Sequence, residues 1–364
     1  MKHKRIAVVL GTRPEIIKMS SILRLLPKSG FSFDLIHTGQ HYSYEMDRVF
    51  FKELGLPQPN FHLSIRSRGL HGDHVGRMMT AIEDIFFKIK PDALLVQGDT
   101  NSVLAGALAA AKIPQIVVGH IEAGLRSYDR SMPEEINRIA TDAVSHLLFA
   151  PTAAARSILL KEGAPPKDIF VTGNTVVDAV KQCAKIVHAA KQKKTGSGRD
   201  KKYFLLTMHR QENVDDPKRF RVILDGLDLI CREFGRPVLF PAHPRTLARL
   251  KRFGLRLPEG VRVSEPAGFL EFLRLELGAE LILSDSGGVQ EEACILRIPC
   301  VTLRTSTERP ETVKAGGNLL AGTSPRQILE TARKMMVCPR NWKNPFGDGR
   351  AGERILSILR RRLT

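Results

Sequence analysis

Residues 93–125 read ALLVQGDTNSVLAGALAAAKIPQIVVGHIEAGL and contain one complete strand–helix–strand unit. The apolar run Ala93–Gln97 predicts a strand, the alanine-rich pattern Val103–Lys112 predicts a helix, and the run Gln115–Gly119 predicts a second strand. Short apolar runs without polar alternation are typical of strands that are buried on both faces, as in a parallel sheet. This unit therefore predicts an α/β fold.

The same alternation extends in both directions along the chain. Further strands are predicted at residues 5–10, 33–37, 146–150, 169–172, 203–207, 238–240, 261–263, 281–283 and 300–303. Further helices are predicted at residues 16–26, 219–233, 269–277, 289–296 and 325–335. Strands that alternate with helices in this way predict doubly wound, mostly parallel sheets.

A polar segment divides the chain into two predicted Rossmann-like domains. Residues 191–202 (KQKKTGSGRDKK) carry almost no apolar side chains and are predicted to form a linker. The N-terminal domain is then 1–190 and the C-terminal domain 203–350. Ligands of open α/β sheets bind beyond the carboxyl ends of the strands, so we expect the site in a cleft between the two domains.

Composition and charge exclude few classes of protein. The 364 residues carry a formal net charge of +18, which suits an anionic ligand, but the dense basic runs lie at the predicted linker and near the chain end. Aromatic residues make up 6% and Trp342 is the sole tryptophan, so a nucleic-acid binder, in which basic and aromatic residues interleave, is not favoured.

Cysteine usage and the N-terminus predict a cytosolic protein. The five cysteines are scattered and include no CxxC pair, which is typical of reduced thiols. The apolar run after the basic N-terminus covers residues 6–10. That run is too short for a secretory leader or a membrane span, so we predict no membrane partner.

Eight polar clusters follow predicted strands or begin predicted helices, where an α/β fold presents groups to a ligand. They are Gly11–Glu15 with Lys18, Gln97–Thr100, Gly119–Arg126, Ser131–Arg138, Met208–Asn213, Pro241–Arg245, Ser284–Glu292 and Glu308–Glu311. The Ser-Gly-Gly turn at 286–288 suits a diphosphate because the N-terminus of a helix presents free N–H groups. Glu292, about one turn later, is placed to hold a ribose diol.

Local structure alone would also explain several of these clusters. The first is equally an ordinary strand-to-helix turn capped by Thr12, and Asp99 is a typical helix N-cap. The acidic residues after Pro133 complement the helix dipole, although Glu134 and Arg138 share one helix face.

Neither a metal nor a dinucleotide cofactor is predicted. The sequence contains no GxxxxGK[ST] and no HExxH, and His71 and His74 lack further ligands nearby. One GxGxxG match, at residues 347–352, follows no strand and leaves no room for a βαβ unit.

Taken together, the clusters resemble the non-hydrolysing UDP-N-acetylglucosamine 2-epimerase family. The matching phrases are GTRPEIIKM, TGQHY, QGDTNSVLAGALAA, GHIEAGLRS, MPEEINR, TGNTVVDA, MHRQEN, DSGGVQEEA and TERPE, in order from Gly11 to Glu311. The resemblance implies a GT-B-type fold of two Rossmann-like domains, with the final helix at 351–364 packing back on the N-terminal domain. It also implies a homodimer.

The resemblance further implies elimination and re-addition of UDP at the sugar, without net hydrolysis. UDP leaves C1 while the C2 proton is removed, and 2-acetamidoglucal is the intermediate. Such a reaction needs a carboxylate base, an acid on the opposite face and cations aimed at the departing UDP. The residues that match the family's catalytic set are Asp99, Glu122, Glu134, His209 and Arg13, with base and acid not distinguished.

The resemblance also implies substrate-binding residues and a second site. Those that match the UDP-sugar contacts are Lys18, Arg138, Phe272, Ser286, Gly287, Gly288, Glu292 and Arg309. Those that match a second site, where UDP-N-acetylglucosamine activates some members, are Gln40, Glu135, Arg210 and His243. Family members often carry a glycine-rich stretch ending in Gln-Thr around residues 66–75, whereas this chain reads Arg66-Ser67-Arg68 and then His74-Val75.

Two other enzymes remain as alternatives to this function. A hydrolysing epimerase would use similar carboxylates and release N-acetylmannosamine and UDP. A GT-B glycosyltransferase would need an acceptor site, which commonly lies beside an apolar membrane-facing patch. The sequence shows no such patch.

Overall fold

The computed structural model describes residues 3–40, 44–63, 65, 69–193, 202–322 and 324–363. The chain forms two compact units. Unit 1 comprises Met1–Ala179 and Phe346–Thr364, and unit 2 comprises Val180–Pro345. Of the predicted linker, residues 191–193 end a helix and residues 194–201 lie outside the described part, so the linker stays a prediction.

Unit 1 is built on a seven-stranded parallel sheet with the strand order β3-β2-β1-β4-β5-β6-β7. The strands are β1 Arg5–Leu10, β2 Ser32–His37, β3 Phe61–His62, β4 Ala93–Gln97, β5 Val117–Ile121, β6 Leu147–Ala150 and β7 Ile169–Val171. All five residues of β4 are buried, since helices cover both faces of the sheet. The predicted run of apolar residues therefore lies at the centre of this unit.

Among the described residues, eight α-helices belong to this unit wholly or in part. They are α1 Arg13–Leu25, α2 Tyr44–Glu53, α3 His71–Ile89, α4 Asn101–Ala111, α5 Pro133–Val144, α6 Ala153–Lys161, α7 Thr175–Lys193, of which the residues from Val180 onward belong to unit 2, and α15 Ala351–Arg362. The chain-terminal helix α15 is fixed at its first turn, where the backbone N–H groups of Ala351 and Gly352 donate to the Asp178 carboxylate at 3.2 and 3.0 Å. A Cβ at Gly352 would lie 3.1 Å from Ser21 Oγ, which shows how closely α15 packs on α1.

Unit 2 repeats the design on a six-stranded parallel sheet with the order β10-β9-β8-β11-β12-β13. Its strands are β8 Phe204–Thr207, β9 Val238–Pro241, β10 Val261–Ser264, β11 Leu281–Ser284, β12 Cys300–Thr302 and β13 Asn318–Leu320. Its helices are α8 Gln211–Val214, α9 Pro217–Phe234, α10 Pro244–Arg252, α11 Phe269–Gly278, α12 Gly287–Leu296, α13 Pro310–Lys314 and α14 Pro325–Met336.

The predicted α/β class with two Rossmann-like domains is confirmed by these two parallel sheets. The prediction was wrong at one strand that matters for function. Residues 115–119 were expected to form it, but β5 runs from Val117 to Ile121, so His120 and Ile121 belong to the strand rather than to the loop after it. The side chain of His120 is fully buried, which excludes an open-loop role.

Among the residues with described coordinates, no helix is both long enough and apolar enough to cross a lipid bilayer.

Candidate active site

The first polar turn of unit 1, between β1 and α1, is closed by a buried carboxylate. Glu15 Oε2 accepts a hydrogen bond from the Gly11 N–H at 2.8 Å, and Glu15 Oε1 accepts one from Thr100 Oγ1 at 2.7 Å. A Cβ at residue 11 would meet Thr38 Oγ1 at 1.9 Å, so only glycine fits there. Thr12 occupies the N-cap position of α1 but makes no side-chain cap bond, so the alternative of a turn capped by Thr12 is wrong.

Glu122 lies immediately after β5 and is the most tightly held carboxylate of the predicted catalytic set. Its residue is 5% exposed, and both carboxylate oxygens lie 2.8 Å from Lys18 Nζ. Asn174 Nδ2 donates to Oε1 at 2.8 Å, and Gln97 Nε2 donates to Oε2. The backbone of Glu122 has φ 70°, a conformation that side chains rarely adopt. These contacts fix one oxygen-rich group at the carboxyl end of the central strands.

Asp99 follows β4 and is held by an arginine from α5. Arg138 donates from Nε and from Nη2 to Asp99 Oδ2, at 3.0 and 2.6 Å. Thr100, not Asp99, caps α4, because its Oγ1 accepts from the Val103 N–H at 3.3 Å. The alternative in which Asp99 is only a helix cap is therefore wrong, and its partly exposed carboxylate remains available to a ligand.

The two glutamates at the start of α5 have different environments. Glu134 is exposed to solvent, whereas Glu135 is 1% exposed. Burial raises the pKa of Glu135, but the N–H groups of Ser127 and Tyr128, each 2.9 Å away, together with Arg138 lower it overall. Glu135 thus holds the preceding loop and Arg138 in place, while Glu134 is accessible one helical turn before Arg138.

His120 belongs to a buried network behind the site. Its Nε2 lies 2.8 Å from the Gly98 carbonyl oxygen, which can only accept, so Nε2 donates. Its Nδ1 lies 2.6 Å from Asp142 Oδ1, and Arg126 Nη2 donates to Asp142 Oδ2 at 2.7 Å. Burial raises the pKa of Asp142, but His120 and Arg126 lower it overall. This network holds the turn that carries Asp99.

In unit 2 the loop after β8 is fastened to the turn after β11 by the fully buried Asp285. The carboxylate of Asp285 accepts from the backbone N–H groups of His209 and Arg210, at 3.1 and 2.9 Å. Asn213 Nδ2 donates to the same oxygen at 3.0 Å. His209 Nδ1 lies 3.7 Å from Asp285, and its side chain is 53% exposed. Asp285 therefore positions His209 while leaving the imidazole accessible.

The Ser-Gly-Gly turn begins α12, as its sequence predicts. Ser286 is the N-cap residue and makes no side-chain cap bond, and Gly287 and Gly288 form the first turn. A Cβ at Gly287 would lie 3.8 Å from Glu308 Oε2 and 3.9 Å from Arg309 Cγ, so both of these residues of the last predicted cluster pass close to this turn. The N–H groups of the first turn of a helix are not used within the helix, which makes this turn suited to anions.

Ion pairs between arginines and glutamates lie beside that turn. Arg309 Nε lies 2.7 Å from Glu291 Oε1, and Arg304 donates to Glu308 Oε2 at 2.7 Å and to Glu212 Oε1 at 2.6 Å. Burial raises the pKa of Glu308, but Arg304 and further partners lower it to about 2. The ionised Glu308 therefore keeps Arg304 in place under physiological conditions.

The remaining predicted residues have local partners. Phe272 of α11 packs against the apolar cluster that contains Val289 of α12, and Glu292 is partly buried. Gln40 Oε1 accepts from Ser102 Oγ at 2.7 Å. The other members of the proposed second site also have internal contacts: His243 caps α10, Arg210 Nη1 lies 3.4 Å from Glu308, and Glu135 is held as described above. Their assignment to a second site stays a prediction.

The structure therefore pairs Lys18 with Glu122 and Arg138 with Asp99 in unit 1, and it places Arg309 close to Gly287 in unit 2. It also shows supporting roles that the sequence did not indicate. Gln97 and Asp285 lie in predicted clusters and Asn174 in the phrase TGNTVVDA, but none of them was assigned a role, and Asp142 was not singled out. Arg13 lies at the first position of α1 with its guanidinium 4.9 Å from the Phe50 ring.

Some predictions fall on parts of the chain that are not described. Arg66, Ser67 and Arg68 lie outside the described residues, as do the last two residues of the phrase TGQHY. Within the described ranges, no group of three or more histidine, cysteine or carboxylate side chains is arranged to hold a metal ion. The expectation that the protein needs neither metal nor cofactor stays a prediction.

Comparison with known proteins identifies the family. The sequence profile of the UDP-N-acetylglucosamine 2-epimerases matches residues 24–360. The UDP-N-acetylglucosamine 2-epimerase of Methanocaldococcus jannaschii is 51% identical over 362 residues, which cover 98% of this chain and 98% of that protein. The UDP-2,3-diacetamido-2,3-dideoxy-D-glucuronate 2-epimerase of Pseudomonas aeruginosa is 41% identical and is matched over 98% of this chain and 99% of its own length.

A solved structure shows the same fold. The crystal structure of the Methanocaldococcus jannaschii UDP-GlcNAc 2-epimerase in complex with UDP-GlcNAc and UDP superimposes with a TM-score of 0.83. The match has 51% identity and covers 98% of this chain and 99% of that one. The family profile, these identities and this fold agree with the motifs that the geometry brings together. The chain belongs to the UDP-N-acetylglucosamine 2-epimerase family, a family of isomerases.

Proposed function

We propose that the protein interconverts UDP-N-acetylglucosamine and UDP-N-acetylmannosamine without releasing the sugar. The observation that carries this proposal is the pair of fixed carboxylates in unit 1, Glu122 bound by Lys18 and Asp99 bound by Arg138. Removal of a weakly acidic C–H proton needs a base that is held in place, and its return to the other face needs a second group. Two carboxylates at neighbouring strand ends, each with its own cation, meet that requirement.

The proposed reaction is an elimination followed by an addition. A carboxylate takes the C2 proton, the C2–H electrons form the C1=C2 bond of 2-acetamidoglucal, and the C1–O bond breaks so that UDP leaves with its electrons. A proton then adds to C2 from the other face, and UDP re-forms the bond to C1. Substrate and product have the same oxidation state, so the proposal needs no redox cofactor. We assign the proton transfers to Asp99, Glu122 and Glu134 together.

Unit 2 is proposed to bind the UDP end of the substrate. The first turn of α12, with Ser286, Gly287 and Gly288, suits the diphosphate, because its N–H groups are not used within the helix. Arg309 supplies positive charge to the departing diphosphate, and His209 offers it a hydrogen bond from the imidazole ring. Phe272 is assigned to the uracil and Glu292 to the ribose hydroxyls. The complex of the Methanocaldococcus relative with UDP-GlcNAc and UDP supports a UDP-sugar as the ligand.

The first experiment is proton NMR of UDP-N-acetylglucosamine with the purified protein in D2O. We expect an anomeric signal of UDP-N-acetylmannosamine, deuterium at C2 and no free sugar. Free N-acetylmannosamine with UDP would overturn the proposal in favour of a hydrolysing epimerase. Turnover confined to a 2,3-diacetamido uronate substrate, the kind acted on by the Pseudomonas relative, would replace the substrate but keep the reaction class. A glycosyltransferase would leave the UDP-sugar unchanged until an acceptor is added.

The carboxylate roles are tested with Asp99→Asn. Loss of a general base lowers kcat by about 100- to 10,000-fold, whereas binding of UDP should be kept. Asp92→Asn is the matched control, since that carboxylate pairs with Lys4 at 2.9 Å on the surface of the same unit and has no proposed role. An Asp99→Asn enzyme that turns over as fast as the control would remove Asp99 from the mechanism.

The role of His209 is tested with His209→Ala. We expect a lower kcat with UDP binding largely kept, because the imidazole is proposed to stabilise the departing diphosphate. An unchanged kcat would exclude His209 from catalysis.

Assembly and activation are further parts of the proposal. We propose a cytoplasmic homodimer, supported as to compartment by five cysteines that are all free thiols. The mass of the purified protein in solution, measured by light scattering, tests whether it is a dimer. We also propose that UDP-N-acetylglucosamine activates the protein at a second site formed by Gln40, Glu135, Arg210 and His243. The reverse reaction should then show a lag when it starts from UDP-N-acetylmannosamine alone. Added UDP-N-acetylglucosamine should remove that lag.

A further inference from the structure

A glutamate without function in the reaction above lies fully buried in unit 2. Glu276, on the last turn of α11, has a relative exposure of 0%. Within the described part of the chain, neither of its carboxyl oxygens accepts a hydrogen bond from an N–H or hydroxyl donor. A buried carboxylate without donors is strongly unfavourable, so this group needs an explanation.

A second carboxyl group, that of Glu292 on α12, faces Glu276 closely enough to share a hydrogen bond with it if one of the two is protonated. The two helices pack through apolar contacts that include Phe272 on α11 and Val289 and Ala293 on α12. Two carboxyl groups bond to each other only when one of them carries a proton, because an ionised carboxylate has no donor. The contact therefore requires a proton between Glu276 and Glu292.

The environment places that proton on Glu276. Burial, followed by the negative charge of Glu292, raises the pKa of Glu276 well above its ordinary value. The other titratable group that faces it is the buried thiol of Cys300 on β12, whose pKa is also raised, by burial and then by Glu276. Glu292 is only partly buried, so desolvation disfavours a negative charge less there than at Glu276.

We propose that Glu276 is a positioning residue for the nucleoside end of the ligand: its protonated carboxyl donates a hydrogen bond to Glu292 and holds that carboxylate for the ribose hydroxyls. This inference rests on the proposed function, in which Glu292 takes the ribose. Phe272 lies one helical turn before Glu276 on the same face of α11, so one helix carries both the proposed uracil contact and the group that orients the ribose contact.

A pH dependence of binding, but not of the chemical step, follows from this arrangement. When the pH rises far enough for Glu276 to lose its proton, two carboxylates face each other and repel. Glu292 then turns away or binds the ribose in a poorer geometry, and the affinity for UDP falls. The C2 proton transfer uses residues of unit 1, so kcat should change little.

The test measures the dissociation constant of UDP by calorimetry from about pH 6 to about pH 9, with kcat and KM in parallel. Glu276→Gln keeps a donor that does not titrate, so its affinity at neutral pH should match wild type and should lose the alkaline weakening. Glu276→Leu removes the donor and should raise both Kd and KM about tenfold, the effect of one lost hydrogen bond to a charged group, with kcat within about twofold. Glu271→Gln, an exposed carboxyl on the same helix paired with Arg274, is the matched control.

Wild type and the three variants bind the same UDP, whose own ionisation affects all four measurements equally. Differences in the pH dependence of Kd among them therefore report on the protein. The inference is overturned if Glu276→Gln shows the same pH dependence as wild type. It is also overturned if Glu276→Leu leaves Kd unchanged, or if it lowers kcat together with the melting temperature, as a merely structural residue would. A wild-type protein that binds UDP but does not epimerise would refute the proposed reaction, while the Kd comparison would still decide the role of Glu276.

Discussion

Replacing Lys18 by methionine should lower the free energy of unfolding of unit 1 by about 3 kcal/mol, because it leaves the buried Glu122 carboxylate without its cation. The Lys18–Glu122 pair spans 2.8 Å, and its side chains are 20% and 4% exposed. Breaking a buried pair costs about 3–5 kcal/mol, and the partial exposure of Lys18 places this pair at the lower end. For a unit of this size the melting temperature should fall by about 6 to 12 °C.

The chain supplies a matched control in the same unit. Lys4 Nζ lies 2.9 Å from Asp92, nearly the same separation, but those side chains are 47% and 34% exposed. Exposed ion pairs contribute at most about 1 kcal/mol, so Lys4→Met should change the free energy of unfolding very little. The two variants differ in burial and hardly in distance.

The assay is urea unfolding of the full chain followed by two signals. Far-ultraviolet circular dichroism reports on both units, whereas fluorescence of the single tryptophan, Trp342, reports on unit 2. The Lys18→Met transition should move to lower urea in the circular dichroism. Equal stabilities for the two variants would refute the argument that burial, rather than separation, sets the contribution of these ion pairs.

Three further outcomes are expected from the geometry. Gly124→Ala should destabilise the protein by more than about 2 kcal/mol in thermal unfolding, since φ is 80° and the new Cβ would lie 2.4 Å from the Ala155 carbonyl oxygen; a wild-type melting temperature would contradict this. Burial raises the pKa of Glu15 in the folded protein above its ordinary value of 4.5, so the stability that the protonated group contributes is lost as the pH rises through the raised pKa. Glu15→Gln should therefore gain stability relative to wild type as the pH rises above about 4.5, and a difference in urea unfolding that does not change with pH would contradict this. Burial raises the pKa of Cys294 to about 11, so iodoacetamide should label it far more slowly than the partly exposed Cys338 in the native protein. Equal labelling of the two cysteines, measured by peptide mass spectrometry, would contradict this.

Most of the fold could be predicted because its strands are apolar on both faces. The runs at Arg5–Leu10 and Ala93–Gln97 were predicted at their observed bounds, since charged or glycine-containing turns follow them. The predicted position of β5 is wrong by two residues, because a polar His120 suggests a loop. In the structure His120 lies buried in the strand, where its ring bonds to Asp142 and to the Gly98 carbonyl oxygen. A partner 22 residues away cannot be read from a local pattern.

Helix α3 was not predicted, although Met78, Ile82 and Ile85 recur at helical spacing. Its N-cap residue is Leu70, which has no polar side chain to cap the first turn, and the residues before it include several outside the described part of the chain. The periodic signal was therefore present, but the usual start signal was not.

For the site, sequence motifs identified side chains but not their pairing. The choice between Asp99 as a helix cap and Asp99 as a functional carboxylate depended on which neighbour caps α4, and only the structure shows that it is Thr100. Likewise, Glu134 and Glu135 are adjacent and chemically identical, and only the direction in which α5 faces distinguishes the exposed one from the buried one. Such differences arise from three-dimensional packing.

The left-handed backbone of Glu122 has a consequence for how this protein can change over generations. Glycine would relieve about 1–2 kcal/mol of steric strain at that position, but it would also remove the carboxylate that Lys18, Gln97 and Asn174 contact. Because breaking a buried ion pair costs about 3–5 kcal/mol, more than the strain relieved, selection for thermal stability alone should retain glutamate at residue 122. Glycine should become tolerated there only when those partners change as well, so residues 18, 97, 122 and 174 should vary together over generations.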